Sequence, residues 1–396
     1  MAGGTAAMRG IGLYLAAVQF FFALGWIVYV VYLPQLAQQA GLPARWVPWL
    51  LAADQFVFVL TDLAVGLASD RAARVLGRIG RAVVAASLVS ALAFLALPWA
   101  APQGSPLLFG AVTLVWVLTS AALRAPPLTL LGRYVARPAQ PAMVAFTAFG
   151  LGLANALAPY LGLQLKAADP RLPFVLSALG LAALTLGMVA AERALARQSG
   201  GSAAAAAEPA PPAQRWVFLA ACALGALAFQ WHASVSSAAL WLHHVAAAEL
   251  PWVLPLFWVG FNLALLPAGV LARRLGAASA MAAGAELAML ATAAAAFASG
   301  APWLAAAQLA AGAGWALLLC AAFSDALALG HSGREGLMSG ALSGTLAAAA
   351  LARITVVTVA TPAPAQVLGL AWGPAIAFAL CAALLVLAAL TRRSVP

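Results

Sequence analysis

Apolar residues recur along the whole chain in runs of about twenty, separated by short polar turns. A run of that length, as a helix, crosses the ~30 Å of a bilayer's hydrocarbon core. Twelve such runs are predicted, at 11–33, 46–69, 81–100, 107–131, 141–165, 172–191, 216–242, 252–272, 277–299, 303–327, 337–360 and 367–391. The run at 277–299 is Ala-rich and gives the weakest signal. The longest polar connection, 192–215, reads ERALARQSGGSAAAAAEPAPPAQR. Its Gly, Ser, Ala and Pro content predicts a flexible linker, part of which is also able to form a short surface helix. It divides the chain into 1–191 and 216–396, with six runs in each half. The expected fold class is an all-α membrane protein, twelve transmembrane helices in two pseudo-symmetric six-helix bundles.

Composition agrees with this pattern: 65% of the 396 residues are hydrophobic and 8% charged. A soluble domain carries about 25% charged residues. The net charge of +10 does not imply a nucleic-acid partner, because the basic residues sit in the turns between runs and not on one amphipathic face. Cytoplasmic loops collect Lys and Arg. With the N-terminus inside, fifteen basic residues are cytoplasmic and three (Arg45, Lys166 and Arg171) are outside, while Arg124 and Arg353 fall within runs. Both termini are therefore expected in the cytoplasm. No cleavable leader is expected, since the first run outlasts an h-region and a second follows. Nineteen Arg against one Lys suggests a GC-rich bacterium, so the expected location is its cytoplasmic (inner) membrane. Trp46, Trp49, Trp99, Trp216, Trp252 and Trp303 lie at run ends, as interfacial anchors do. Cys222, Cys320 and Cys381 are far apart in apolar runs and predict neither a metal site nor a disulfide framework.

The candidate chemistry lies in the polar residues that interrupt these runs. An ionised Asp near the bilayer centre costs at least ~3 kcal/mol, so Asp54 and Asp62 need a reason to be there. Each reads either as a carboxyl that binds and releases a proton or a cation, or as half of a structural ion pair. Arg124 and Arg353 are the matching cations, since an Arg stays charged at any depth and must find a carboxylate, a carbonyl or an anionic solute. Pro126 and Pro127 follow Arg124 and are expected to break the local hydrogen-bond ladder. Gln19, Gln230 and His232, with Asn155 and Asn262, are mid-run polar groups that either hold helices together or face a cavity. Glu286 sits in the ninth run and is expected to face inward or snorkel.

The stretch 54–81 ties these features together. Asp54, Asp62, Gly66 and Asp70 share one helix stripe through an i, i+4 rhythm, and a basic turn with Arg71, Arg74, Arg78 and Arg81 follows. Gly66-x-x-x-Asp70-Arg71-x-x-Arg74 resembles the signature between helices 2 and 3 of the major facilitator superfamily, with Ala73 and Val75 departing from it. The second half echoes it as Gly269-x-x-x-Arg273-Arg274, with Arg273 in place of the acid. Weak repeats of this kind are how secondary transporters are built, with the site near the midplane between them. The resemblance implies alternating access and a cytoplasmic gate of Gly66, Asp70, Arg71, Arg74, Arg273 and Arg274, with Asp70 at the N-terminal end of helix eleven. It implies coupling or cavity roles for Asp62, Asp54, Arg124, Arg353, Gln19, Gln230 and His232.

Asp62-x-x-x-Gly66-x-x-x-Asp70 with Gly77-Arg78 is also similar to the helix-2 signature of the glycoside–pentoside–hexuronide cation symporters, with Leu63 in its Pro position. That similarity implies a basic residue in helix eleven facing the helix-2 acids, a place Arg353 would fill. Ala145, Ala154, Ala158, Pro159 and Gly162 resemble an antiporter motif in which three glycines have become alanines. A small-molecule substrate is expected, with a proton or sodium as coupling ion, the lipid bilayer as surroundings, no cofactor and a monomeric chain. No Walker A sequence is present to bring ATP. An embedded enzyme, or a receptor or scaffold, is the alternative.

The charge asymmetry generates the first prediction. Cysteine introduced as Ser202→Cys should resist a membrane-impermeant maleimide in whole cells and react after permeabilisation. Strong labelling from outside would invert the topology.

Overall fold

A computed structural model describes residues 2–73, 75–165, 168–198, 211–331 and 333–393. Arg74, one of the expected gate residues, lies outside the described residues. Twelve helical spans are long and apolar enough to cross a membrane. In the first half they are α1 (Ala7–Gln39), α2 (Ala44–Ala72), α3 (Arg78–Gln103), α4 (Pro106–Tyr134), α5 (Arg137–Leu165) and α6 (Arg171–Gln198). In the second they are α7 (Pro212–Leu242), α8 (Ala247–Leu275), α9 (Ala277–Ala296), α10 (Ala301–Leu329), α11 (Glu335–Ala360) and α12 (Pro364–Ala389). The Ala-rich α9 is the shortest of them. Twelve crossings leave both termini on one side, called here the terminal side.

The spans pack as two bundles of six with matching internal pairs. In the first bundle α3 packs on α4 and α6, and α1 on α5 and α6; in the second α9 packs on α10 and α12, and α7 on α11 and α12. The bundles meet chiefly along two seams, α2 with α11 and α5 with α8, with lesser contacts of α4 with α11 and of α5 with α10. The same repeat operation that takes one half to the other exchanges these two seams.

Small residues make the seams possible. A β-carbon on Gly66 would run into the backbone carbonyl of Gly336, and one on Gly340 into the carbonyl of Asp62. At the other seam, a β-carbon on Gly269 would press on the backbone of Ala142 at 3.0 Å. The two glycines that open the repeated sequence thus do the same work, each letting its helix lie against the opposite bundle. In α5 the close contacts fall at Gly150, against the Ala16 carbonyl of α1, and Gly152, against Phe261 of α8.

Two details differ from the sequence expectation. The helix of α6 continues to Gln198, so Glu192 belongs to the bundle and not to the linker; α7 likewise begins at Pro212. Glu192 is fully buried, and its Oε2 accepts from the Gly80 amide in the first turn of α3 at 2.7 Å. Glu286 is exposed on the surface of α9, which rules out the inward placement and leaves the snorkelling one of its two expected placements.

Overpacking a close helix seam costs about 1–3 kcal/mol. Gly66→Val should lower the melting temperature of the purified protein accordingly. Gly110→Ala, on α4 where an added β-carbon meets nothing within 4 Å, should be neutral or slightly stabilising. Equal melting of Gly66→Val and the native chain would show that the seam tolerates separation.

Candidate functional site

The site begins with a broken helix. The N-terminal part of α4 ends at Ser120, a 3-10 turn occupies Ala121–Leu123, and α-helix resumes at Ala125. Pro126 and Pro127 have no N–H, so the carbonyls four residues earlier, Ala122 and Leu123, lose their helical donors. The Leu123 carbonyl takes a substitute from another helix: Gln19 of α1 donates its Nε2 proton to it at 2.7 Å. Arg124 stands at the break itself.

The Arg124 guanidinium reaches two other helices, α2 and α11. Its Nη2 lies 3.0 Å from Oδ2 of Asp62 on α2 and donates to the Ser343 carbonyl of α11, in the other bundle, at 3.3 Å. Its carbon lies 4.5 Å from the centre of the Phe58 ring, one turn above Asp62, a cation–π approach. The Asp62 contact is off the angle of a hydrogen bond, and neither Asp62 oxygen has a hydrogen-bond donor among the described residues. The charge on Asp62 therefore rests on Arg124. Asp62 is fully buried, whereas the Arg124 side chain keeps 20% of its surface.

That surface faces a cavity of about 170 Å³ between the bundles. Gln19, Arg124, Thr147 and Ser343 are its polar lining, and Phe22, Leu128, Leu151 and Phe323 are among its apolar walls. This volume holds a small solute or on the order of ten waters. On the terminal side the helices close beneath it. Cys320 of α10 approaches the Pro141 carbonyl of α5 at 3.4 Å, and the Glu335 side chain packs where a β-carbon on Gly132 would sit.

At that closed end, Asp70 accepts two backbone hydrogen bonds from α11. Gly336 donates to Oδ1 at 2.6 Å and Leu337 to Oδ2 at 2.8 Å. The first-turn amides of a helix need acceptors from outside the helix. Arg334 stands at the N-cap of α11 and makes no side-chain cap bond, so the cap comes from the other bundle. The carboxylate thus meets the positive end of the α11 helix. His331, in the turn before α11, is held below its ordinary pKa by partial burial and then by Arg137. Arg71, Arg273 and Arg274 are exposed at the terminal-side ends of α2 and α8.

The remaining candidates lie apart from the cavity lining. Asp54 is buried and accepts from the Tyr29 hydroxyl at 2.9 Å. Arg353 donates its Nε proton to Gln230 of α7 at 3.1 Å, and no described contact joins it to the acids of α2. His232 lies in a π-turn of α7, with Nε2 3.1 Å from Gln308, which in turn donates to Ser237 at 3.1 Å. Sequence reasoning did not single out Tyr29, Phe58, Ser343 or Gln308 as partners. It also passed over Asp325, a buried acid in α10, although an acid in an apolar run is itself a signal.

No family model matches the chain, and no curated protein does. Solved structures do match over nearly its whole length. A bacterial homologue of the iron transporter ferroportin, in an outward-facing state, aligns with a TM-score of 0.74 at 15% identity, covering 96% of this chain and 99% of that one. The human organic anion transporter MFSD10 (TETRAN) aligns at 0.69 and 16% identity, covering 96% and 98%. The E. coli fucose:proton symporter FucP aligns at 0.63 and 16%, covering 96% and 99%. FucP is described as a major facilitator superfamily transporter, and the fold found here is the one these proteins share.

Removing one partner of a buried ion pair costs about 3–5 kcal/mol, because the other charge stays behind. Asp62→Asn and Arg124→Gln should each lower thermal stability strongly. The double variant should recover much of the loss, with a coupling of about 2 kcal/mol. Additive losses would mean that the 3.0 Å contact carries no coupling.

Proposed function

We propose that this chain is a secondary transporter of the major facilitator type that moves a small solute through the cavity by alternating access. Its two halves are the working bundles, with the segment around 192–215 as a cytoplasmic linker and both termini in the cytoplasm. The reading rests above all on Arg124, which at once lines the cavity, pairs with Asp62 and bonds across the seam to Ser343. The sharing of this fold with an iron transporter's homologue, an organic anion transporter and a fucose:proton symporter supports transport as its use here.

The coupling follows from charge balance. With Asp62 ionised, the pair is neutral overall and Arg124 is divided between α2 and α11. A proton on Asp62, or a cation beside it, cancels the attraction to α2. Arg124 then takes a new acceptor from the solute or relies on the Ser343 carbonyl it already holds, and the balance of contacts across the seam changes. Asp70 is the gate on the terminal side, since opening there requires its two bonds to α11 to break. Asp54, held by Tyr29 in the same helix stripe, is the second carboxyl available for this role.

Purified protein in liposomes, with a pH-sensitive dye inside and a panel of small solutes outside, tests the reading. Some solute should drive, or be driven by, a proton or sodium flux. Asp62→Asn should abolish accumulation against a gradient while exchange down a gradient persists, because the cavity remains. If Asp62→Asn accumulates solute normally, the residue is structural and Asp54 inherits the role. If no solute moves under any gradient, an embedded enzyme or a receptor becomes the better account.

A further inference from the structure

Arg353 poses a problem that the central site does not solve. Its guanidinium is permanently charged and sits within a membrane span. No described contact joins Arg353 to an acid, and Gln230, the partner of Arg353, is neutral. The Gln230 side-chain carbonyl oxygen accepts from one of the five N–H groups of Arg353 and carries no negative charge, so the remaining donors and the charge are open to an anion.

The surroundings of Arg353 indicate the kind of anion. It lines a groove of about 300 Å³ whose walls come from α7, α11 and α12 and include Leu227, Trp231, Val356, Leu370 and Ala377. Arg353 supplies the charge in this otherwise apolar groove. Leu227, Val356 and Leu370 are exposed on the outer surface of the bundle, so the groove opens laterally, toward the hydrocarbon around the protein. Arg353 lies seven residues before Ala360, the end of α11, which places it about 10 Å below that end at 1.5 Å per residue. An Arg at this depth extends its head toward the lipid phosphates. Hydrocarbon walls, a lateral opening and one cation near the headgroup level complement a molecule with an acyl chain and a single negative head.

We propose that the α7–α11–α12 groove is a binding site for an anionic phospholipid of the leaflet opposite the termini. The lipid's phosphate pairs with Arg353, oriented by Gln230, and an acyl chain lies against Trp231, Leu370 and Ala377. The site is separate from the central cavity and does not rest on the transport reading.

Native mass spectrometry of the full chain, released from micelles doped with phosphatidylglycerol or phosphatidylethanolamine, tests the site. The native chain should retain phosphatidylglycerol in preference to phosphatidylethanolamine. Arg353→Gln should weaken that retention about tenfold, the scale of one charge-assisted contact, and Arg353→Lys should keep most of it. Ala377→Trp, which fills the groove and leaves the charge in place, should weaken it too, and this keeps the test decisive if Arg353→Gln does not fold. Equal retention by native chain, Arg353→Gln and Ala377→Trp would overturn the proposal, as would equal retention of the two lipids by the native chain. Inorganic phosphate that displaces the lipid at millimolar concentration would also overturn it, by showing a site for a free anion.

Discussion

A guanidinium that cannot lose its charge, placed between two apolar bundles, is the constraint around which this molecule is arranged. Arg124 has to be neutralised and hydrogen-bonded inside the membrane. Asp62 supplies the opposite charge and the Ser343 carbonyl supplies an acceptor. One guanidinium serves both only because α2 and α11 lie backbone against backbone at Gly66, Gly336 and Gly340. The prolines that free the Leu123 carbonyl in turn require Gln19 on α1. Four helices from both bundles therefore meet around one side chain, with the cavity beside it.

The repeat is close in shape and unequal in charge. Gly66 and Gly269 make equivalent seam contacts, yet Asp70 follows the first and an exposed Arg273 follows the second. Both α2 and α8 reach the other bundle, but a carboxylate stands at that place in α2 alone. The α2–α11 seam thus carries the Asp70 carboxylate on the first amides of α11, and Arg124, paired with Asp62 of α2, adds a bond to the Ser343 carbonyl beside it. An asymmetric lock of this kind gives one seam the larger share of the work in holding the terminal side shut.

Much of this was legible in the sequence, and the limits of legibility have physical causes. The spans follow from hydropathy because a bilayer admits few other spanning structures. Asp62 and Arg124 stand out because charge in an apolar run is costly. Their pairing is not written in the chain, since it depends on how α2 rotates against α4. Arg353 matches Asp54 in depth, but depth says nothing of direction around the helix, and Arg353 turns to Gln230 while Asp54 turns to Tyr29. The Ser343 carbonyl was invisible because every residue has one. Glu192 looked like linker because the chain around it is charged and Ala-rich; its partner, the Gly80 amide, lies more than a hundred positions away.

The cap that α11 takes from Asp70 has a consequence for measurement. The Gly336 and Leu337 amides are held by a carboxylate of the other bundle and by no acceptor of their own helix. Whenever the bundles part on this side, those two protons are released to water while the rest of α11 stays folded. Their exchange with deuterium consequently reads the fraction of time the terminal side spends open, from two backbone positions and with no label attached to the protein.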